Sequence, residues 1–347
     1  MVIAILLLLL TSLTCQEELY PDPVSSDSIE EFETRLDNLR KDSNIPGMVA
    51  GIVKDGNVIW TRDYGFADVS QQKPVTNSTI FHLASLTKTF ASAVVLQLVD
   101  EGKVKLNDPV SNYGITLAES DTVRVIHLLT HTSEGVPGAK YKYNGDRYAL
   151  LSTVVESASG KPFHQLAYEK IIQPLGLQNT APSNMIFAAA VGMDTIQLKQ
   201  NTAQGYSSNG QQEVAYPTNF STAAGLISSL DDMLSYAASY DGNQLLTDEL
   251  KELIFSPMIS NDGKTLPYGL GWFIQLKEGI KLTWHYGYWT GMSSLIIRVP
   301  EQKMTFVLMA NSDKLSSPFQ LGKGDLWASP YAKEFLKSFV LEGAKLK

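Results

Sequence analysis

The chain has 347 residues, of which 44% are hydrophobic and 18% charged, so it can bury a large core as one large domain or two closely packed ones. Its formal net charge is −8 and it carries no basic run, which argues against nucleic acid as a partner because phosphate binding needs clustered Lys and Arg. With Cys15 as its single cysteine, the chain forms no intrachain disulfide.

The N-terminus predicts export. An apolar run at 3–10 is too short to span a bilayer and is followed by small and hydroxyl residues up to Cys15, then by acidic, polar sequence. We interpret residues 1–15 as a signal segment, although it lacks the usual basic start, and 16–27 as a spacer. Cleavage near Cys15 fits secretion, and lipidation of Cys15, as in bacterial lipoproteins, fits membrane attachment; the sequence leaves both open.

Patterns at the two ends of the chain predict helices and strands that combine into one sheet. Ser28 fits the N-cap of a first helix, followed by apolar residues at helical spacing, and an Asp-Gly-containing turn joins the first two strands. The predicted helices at the two ends are 28–39 and 331–341. The predicted strands are 48–54, 58–64, 271–276, 281–285, 294–299 and 305–310.

The middle of the chain is mostly helical in pattern. The helices predicted there are 85–100, 124–130, 147–157, 163–172 and 231–240, the last with Ser228 or Ser229 as its N-cap. The fold class predicted is therefore α/β in the α+β sense: an antiparallel β-sheet built from both chain ends, flanked by helices, with a mostly α-helical insertion. We place this domain at 28–345, its sheet part at about 28–70 and 265–345 and its helical part at about 75–255. A ligand cleft is expected between the two parts.

The segment Ser85-Leu86-Thr87-Lys88 is the strongest chemical signal. It opens an apolar helical pattern, so Ser85 is expected on the first turn with Lys88 one turn later on the same face. A serine becomes an effective nucleophile when a base takes its proton, and a lysine serves as that base when its pKa is lowered. A second copy of the pattern, Ser70 to Lys73, lies in polar sequence before a proline and is interpreted as a loop.

Two further segments bring chemistry to the same site. Tyr143 is a candidate proton relay, since a phenol beside a lysine ammonium loses its proton more easily. Tyr288 lies just after His285 and Gly287 at a strand end, and its backbone N–H can pair with that of Ser85 to hold an oxyanion. A structural role is the alternative for both segments, because the chain has 15 tyrosines and aromatic residues surround His285.

These three segments resemble the motifs of the serine β-lactamase and penicillin-binding superfamily, most closely its class C β-lactamase-like hydrolases and esterases. Ser85–Lys88 matches Ser-x-x-Lys, Tyr143 the tyrosine of Tyr-x-Asn, and 285–287 the Lys/His-x-Gly motif, and the similarity runs from about 45 to 311. The resemblance implies catalysis by Ser85, Lys88 and Tyr143, with His285, Gly287 and Tyr288 binding substrate.

Two positions depart from the family pattern. The literal Tyr-x-Asn string starts at Tyr141, but the family spacing selects Tyr143, which puts Gly145 where relatives have asparagine. His285 replaces the lysine of other β-lactamases and is a weaker, pH-dependent partner for a substrate carboxylate. Both departures favour an ester or a small amide or peptide over a β-lactam.

The resulting prediction is an exported serine hydrolase that forms an acyl-enzyme on a small-molecule or peptide substrate. A β-lactamase and a peptidase acting on D-amino-acid peptides stay open as alternatives, as does a non-hydrolytic sensor or scaffold. No metal-ligand spacing is present, so neither a metal nor a cofactor is expected. His127 and His131 are interpreted as structural, and His82 and His164 have no evident partner. The sequence leaves the oligomeric state open.

Overall fold

The computed structural model describes residues 26–118, 122–207 and 212–341; the predicted signal segment and Cys15 lie outside these ranges. The helices are α1 (Ser26–Asp42), α2 (Thr87–Asp100), α3 (Val125–Leu129), α4 (Gly145–Ala149), α5 (Leu151–Ser159), α6 (Phe163–Ala167), α7 (Met185–Ala190), α8 (Thr195–Asn201), α9 (Leu230–Ala238), α10 (Asp248–Ile254) and α11 (Pro330–Phe335). The strands are β1 (Gly47–Lys54), β2 (Asn57–Asp68), β3 (Lys73–Pro74), β4 (Ile80–His82), β5 (Ala181–Pro182), β6 (Gly205–Tyr206), β7 (Glu213–Val214), β8 (Leu226–Ser229), β9 (Phe273–Lys277), β10 (Ile280–Trp289), β11 (Met292–Val299) and β12 (Met304–Ala310).

A seven-stranded sheet joins the two ends of the chain. Its order is β3-β2-β1-β12-β11-β10-β9, and every neighbouring pair is antiparallel. The central contact pairs β1 with β12, from Met48 opposite Ala310 to Lys54 opposite Met304. The α+β class predicted from the sequence is therefore confirmed: early and late strands share one antiparallel sheet, and most helices come from the segment between them.

Both faces of this sheet are covered, and β1 shows why. Its side chains alternate between two hydrophobic cores, with Met48, Ala50 and Ile52 in one and Val49 and Val53 in the other. This period of two is what a strand buried on both faces requires. The first core lies under α1 and α11, and the second under α2 and α9.

Each core is closed by aromatic contacts from its helices. Under α1, the Phe32 ring lies 6.2 Å from that of Phe306 on β12. On the other face, Phe90 of α2 stacks on Tyr236 of α9 at 3.9 Å between centroids. The helices are thus fixed to the sheet by buried rings, which make large contributions to core stability.

The predicted elements are mostly confirmed, with three differences. Ser229 is the N-cap of α9, where its side chain accepts from the Asp232 N–H. In contrast, α1 begins at Ser26, so the prediction of Ser28 as N-cap is wrong. The helix predicted at 147–157 is divided into α4 and α5 at Leu150. Strand β10 continues to Trp289, so His285 lies inside a strand and not at its end.

A smaller sheet positions the candidate nucleophile. It has the order β4-β8-β5, with His82 of β4 opposite Ile227 of β8. The chain passes from β4 directly into the turn that carries Ser85 and then into α2, so this turn is anchored on both sides. Over the described ranges, no helix is both long and apolar enough to cross a membrane.

Candidate active site

Ser85 lies in a tight 3₁₀ turn, Ala84–Leu86, between β4 and α2. It therefore precedes α2. The prediction that Ser85 lies on the first turn of the α-helix is wrong. Ala84 has a φ of 48°, in the left-handed region. This conformation costs an L-residue about 1–2 kcal/mol, so the surrounding structure must hold it. Ser85 itself is half-buried and open to solvent.

Three hydrogen bonds hold the turn Ala84–Leu86, the candidate nucleophile turn, in place. The Leu83 N–H donates to the Leu226 carbonyl at 2.8 Å, which continues the ladder between β4 and β8. The Ser294 hydroxyl donates to the Leu83 carbonyl at 2.8 Å. The Ala84 N–H donates to Nδ1 of His82 at 2.9 Å. Sequence reasoning missed His82, because nothing in the pattern marks a side chain that turns back onto its own backbone.

Lys88 is brought against Ser85 by the first turn of α2. Its Nζ atom lies 3.0 Å from Oγ of Ser85 and donates to the Ala223 carbonyl at 2.9 Å. The lysine is 1% exposed, and this burial lowers its pKa to about 7. Desolvation disfavours the ammonium form, so a substantial fraction of Lys88 is a neutral amine near neutral pH. A neutral amine at this distance can take the hydroxyl proton of Ser85.

Tyr143 lies on the other side of the lysine. Nζ of Lys88 is 5.1 Å from the centroid of the Tyr143 ring. Burial raises the pKa of Tyr143 well above its ordinary value, and the nearby Ser85 hydroxyl opposes this only in part. The expectation that the lysine would ease loss of the phenol proton is therefore not met, since desolvation has the larger effect. Tyr143 stays a phenol, whereas the lowered pKa of Lys88 allows its amine to accept a proton near neutral pH.

The geometry distinguishes the two tyrosines that compete for the motif. The Tyr141 hydroxyl donates to the Gly322 carbonyl at 2.9 Å and is thereby engaged. The Tyr143 hydroxyl is buried near the Ser85 hydroxyl but forms no regular hydrogen bond among the described residues. A buried, unpartnered donor beside a nucleophile is available to a reacting group.

His131 packs against Tyr143 and holds the segment that carries it. Its Nδ1 accepts from the Asn144 N–H at 3.2 Å, its carbonyl accepts from the Lys142 N–H at 2.8 Å, and its ring lies 4.3 Å from that of Tyr143. Burial, with the charge of Lys88, lowers the pKa of His131 well below its ordinary value. The ring is therefore neutral and fixes the segment that carries Tyr143.

The Asn144 side chain is hydrogen-bonded within the protein, and Gly145 has open space around it. The Asn144 side chain accepts from the Arg147 N–H at 3.1 Å as the N-cap of α4 and donates to Glu134. A Cβ atom added at Gly145 would meet nothing within 4 Å. The position that the family spacing assigns to asparagine is therefore open.

The segment 285–289 of β10 borders the nucleophile turn. Pairing with β9 ends at Trp284 opposite Phe273, so this segment has an unpaired edge. Gly287 lies against the turn: an added Cβ atom would lie 2.1 Å from the Leu83 carbonyl oxygen and 2.9 Å from the Ser85 nitrogen. The backbones of the two segments thus come as close as a glycine allows.

His285 is completely buried at the base of this segment. One ring nitrogen, Nδ1, lies 2.7 Å from the Tyr286 carbonyl, which accepts hydrogen bonds only, so Nδ1 carries the proton. The other, Nε2, therefore accepts from the Tyr268 hydroxyl at 2.8 Å. Burial and the charge of Lys88 lower the pKa of His285 well below its ordinary value. The ring is neutral, and both nitrogens are engaged inside the protein.

Two aromatic side chains are exposed at the end of β10, after Gly287. Tyr288 is 44% exposed and Trp289 62% exposed, and Tyr288 stacks on Tyr286 at 6.1 Å. They present aromatic surface to solvent at this end of β10. The described residues include no group of three or more His, Cys, Asp or Glu side chains placed to hold a metal ion.

Comparison with known proteins agrees with this geometry. Residues 32–324 match the family model described as "Beta-lactamase". A D-aminopeptidase of Gluconobacter oxydans is 25% identical over 77% of this chain, which spans 56% of that relative's length. The D-alanyl-D-alanine-carboxypeptidase/endopeptidase AmpH of Escherichia coli is 27% identical over 78% of this chain and 79% of its own. Penicillin-binding protein 4* of Bacillus subtilis is 22% identical over 82% and 72%, respectively.

The fold has a solved counterpart. The octameric penicillin-binding protein homologue from Pyrococcus abyssi superimposes with a TM-score of 0.76, covering 90% of this chain and 77% of that one, at 22% sequence identity. The similarity establishes the shared fold.

Proposed function

Because this chain belongs to the β-lactamase family, we propose that it is a serine hydrolase that works through an acyl-enzyme. The observation that carries the proposal is the pair formed by Ser85 and Lys88, with 3.0 Å between Oγ and Nζ. The lysine has a pKa of about 7 through burial, so it can accept a proton under ordinary conditions.

The reaction follows from the positions of these groups. Neutral Lys88 takes the proton of Ser85 as Oγ attacks a carbonyl carbon, and the tetrahedral oxyanion is held by the N–H groups of Ser85 and Tyr288. The C–O or C–N bond to the leaving group breaks, and a proton passes from Lys88 through the Tyr143 phenol to the leaving group. Water then hydrolyses the ester on Ser85, and Tyr143 and Lys88 carry the protons in the reverse direction. Gly287 allows the segment 285–289 of β10 to lie close to the turn that carries Ser85.

We propose an ester or a small amide without a carboxylate beside the scissile bond as substrate. The support is His285, which is neutral and has its one N–H on the Tyr286 carbonyl, so it offers neither charge nor a donor to a carboxylate. In its predicted role at the substrate edge, His285 therefore acts by holding β10 in place. Exposed Tyr288 and Trp289 favour an apolar group on the substrate.

Among peptide substrates, this reasoning favours an aminopeptidase type over a carboxypeptidase type. The names of two relatives, a D-aminopeptidase and a D-alanyl-D-alanine-carboxypeptidase/endopeptidase, represent both types. A substrate with a free amine and no carboxylate, such as D-alanine p-nitroanilide, is compatible with a neutral His285. A peptide ending in D-Ala-D-Ala carries the carboxylate that the site does not neutralise.

The test compares four substrates with wild type and Ser85→Ala. p-Nitrophenyl acetate and D-alanine p-nitroanilide should be hydrolysed, and a chromogenic cephalosporin and acetyl-D-Ala-D-Ala should be poor substrates. Loss of ester turnover in Ser85→Ala supports the proposal, and wild-type turnover in that variant overturns it. Stable acylation of Ser85 without release would instead indicate the non-hydrolytic sensor.

We also propose that the protein is exported. It is supported by the apolar run at 3–10 and the polar sequence after Cys15. Expression of the full chain in a bacterial host, with Cys15→Ser as control, tests the two outcomes for Cys15. Lipidation predicts a membrane-bound wild type and a released variant, whereas simple cleavage predicts that both are released.

A further inference from the structure

We propose that His82 is a positioning residue for the acylation step, because its Nδ1 atom holds the left-handed turn at Ala84 that aims Ser85. The inference rests on the proposed function, since the effect is measured through acylation of Ser85. His82 does not touch the reacting atoms. It acts through the backbone of the residue that precedes the nucleophile.

The contact closes a turn over two residues. His82 is the last residue of β4 and is 1% exposed, and its Nδ1 accepts the Ala84 N–H at 2.9 Å. Asn and Asp close turns in the same way, with a side-chain acceptor bonded to the N–H two residues later. The imidazole of His82 therefore closes this turn as an Asn or Asp side chain closes an Asx turn. Of the three hydrogen bonds that hold this turn, this one acts on Ala84 itself and opposes relaxation of its φ of 48°.

The surroundings keep the ring in the accepting form. Since Nδ1 accepts the Ala84 N–H, the ring proton lies on Nε2, which is buried near the Pro217 backbone without a regular hydrogen bond. Burial lowers the pKa of His82 to about 4, and the Pro217 backbone opposes this only in part. The Tyr216 ring packs edge-on against it at 5.6 Å between centroids. The ring is thus neutral, enclosed and kept with its lone pair toward Ala84.

The turn controls two catalytic distances at once. A change of φ at Ala84 moves the peptide that carries the Ser85 N–H away from the Gly287 backbone. The same change alters the 3.0 Å contact between Ser85 Oγ and Lys88 Nζ. Both effects act on the transition state of acylation more than on substrate binding. Removal of the acceptor should therefore lower the rate constant of acylation, and with it kcat/KM, without weakening the initial binding of substrate.

Three variants separate positioning from mere packing. His82→Asn keeps an acceptor for the N–H two residues on, His82→Gln moves that acceptor out by one methylene, and His82→Leu fills the space without an acceptor. Acylation is measured as the burst of p-nitrophenol from p-nitrophenyl acetate, alongside steady-state kcat and KM and the melting temperature. We expect an acylation rate about tenfold or more lower for Leu and Gln, and within about threefold of wild type for Asn, which is the scale of one lost hydrogen bond.

The proposal is overturned if folded His82→Leu or His82→Gln acylates as fast as wild type. It is equally overturned if His82→Asn is as slow as the other two at a similar melting temperature, since the acceptor would then have no effect. If the leucine variant does not fold, the comparison of Asn with Gln decides. Activity that survives in Ser85→Ala would overturn the proposed function itself, whatever the His82 variants do.

Discussion

Nζ of Lys88 lies 3.0 Å from Oγ of Ser85, and contacts with other parts of the chain hold both residues in place. The Ala223 carbonyl fixes the lysine at 2.9 Å, and the turn between β4 and α2 fixes the serine. Because the lysine is buried, its pKa falls to about 7. The pair therefore combines a fixed distance with an amine that can accept a proton near neutral pH.

The first prediction concerns the pH dependence of ester hydrolysis. The lowered pKa means that Lys88 is protonated and inactive below about pH 7 and neutral and active above it. We expect kcat/KM for p-nitrophenyl acetate to rise about tenfold per pH unit below the pKa and to level off above it. A profile that is flat across this region would contradict the assignment of Lys88 as base.

A pair of lysine variants tests the same assignment. Lys88→Ala should lower kcat/KM by about 10²- to 10⁴-fold, the usual contribution of a positioned base. Lys73, in the second Ser-x-x-Lys string, donates to the Gln200 carbonyl on the surface and is the matched control. Lys73→Ala should keep wild-type kinetics. Equal losses in the two variants would mean that the effect of Lys88 is not specific.

The second prediction concerns Tyr143 and the leaving group. Tyr143→Phe removes the buried phenol and should lower kcat on D-alanine p-nitroanilide by about 10²- to 10⁴-fold, because an amine leaves only when protonated. The effect on acylation by p-nitrophenyl acetate should be smaller, since p-nitrophenolate leaves without a proton. Rates of acylation on both substrates provide the measurement.

Tyr141→Phe is the control for that variant, because Tyr141 competes for the motif and bonds the Gly322 carbonyl. It should keep the amide rate within about threefold, since only one outer hydrogen bond is lost. If Tyr141→Phe lost amide hydrolysis and Tyr143→Phe kept it, the register chosen from the spacing would be wrong.

The third prediction concerns the close approach of β10 to the nucleophile turn. A Cβ atom at Gly287 would lie 2.1 Å from the Leu83 carbonyl oxygen, so Gly287→Ala must separate β10 from the turn. We expect kcat/KM to fall by about 10²- to 10³-fold, the cost of losing an oxyanion donor. Gly242→Ala, where an added Cβ meets nothing within 4 Å, should leave activity unchanged. Activity in Gly287→Ala close to that of the control would argue against an oxyanion site here.

The sequence predicted the sheet and the order of the motifs because both depend on local patterns. The nearly continuous apolar runs of β1 and β12 and the helical spacing in α2 are properties of short segments. The Ser85–Lys88 contact also follows from spacing along one turn. These features needed no knowledge of distant contacts.

The remaining features depend on residues far apart in sequence or on backbone conformation. The pKa of Tyr143 is set by burial among neighbours that only the fold assembles, so desolvation could not be weighed against the lysine charge. The engagement of His285 by Tyr268 spans 17 positions. The left-handed conformation of Ala84 has no signal in the sequence, since alanine does not favour it.

The last prediction uses the open space at Gly145. Since an added Cβ atom meets nothing within 4 Å, Gly145→Asn should fold as well as wild type. The hypothesis is that the asparagine amide, two residues after Tyr143, hydrogen-bonds the amide group of a β-lactam substrate. We expect turnover of the chromogenic cephalosporin to rise about tenfold relative to p-nitrophenyl acetate, the scale of one to two hydrogen bonds. Gly145→Ala adds a side chain without an amide and should leave that ratio unchanged. If the two variants gave the same ratio, Gly145 would not determine the choice between ester and β-lactam.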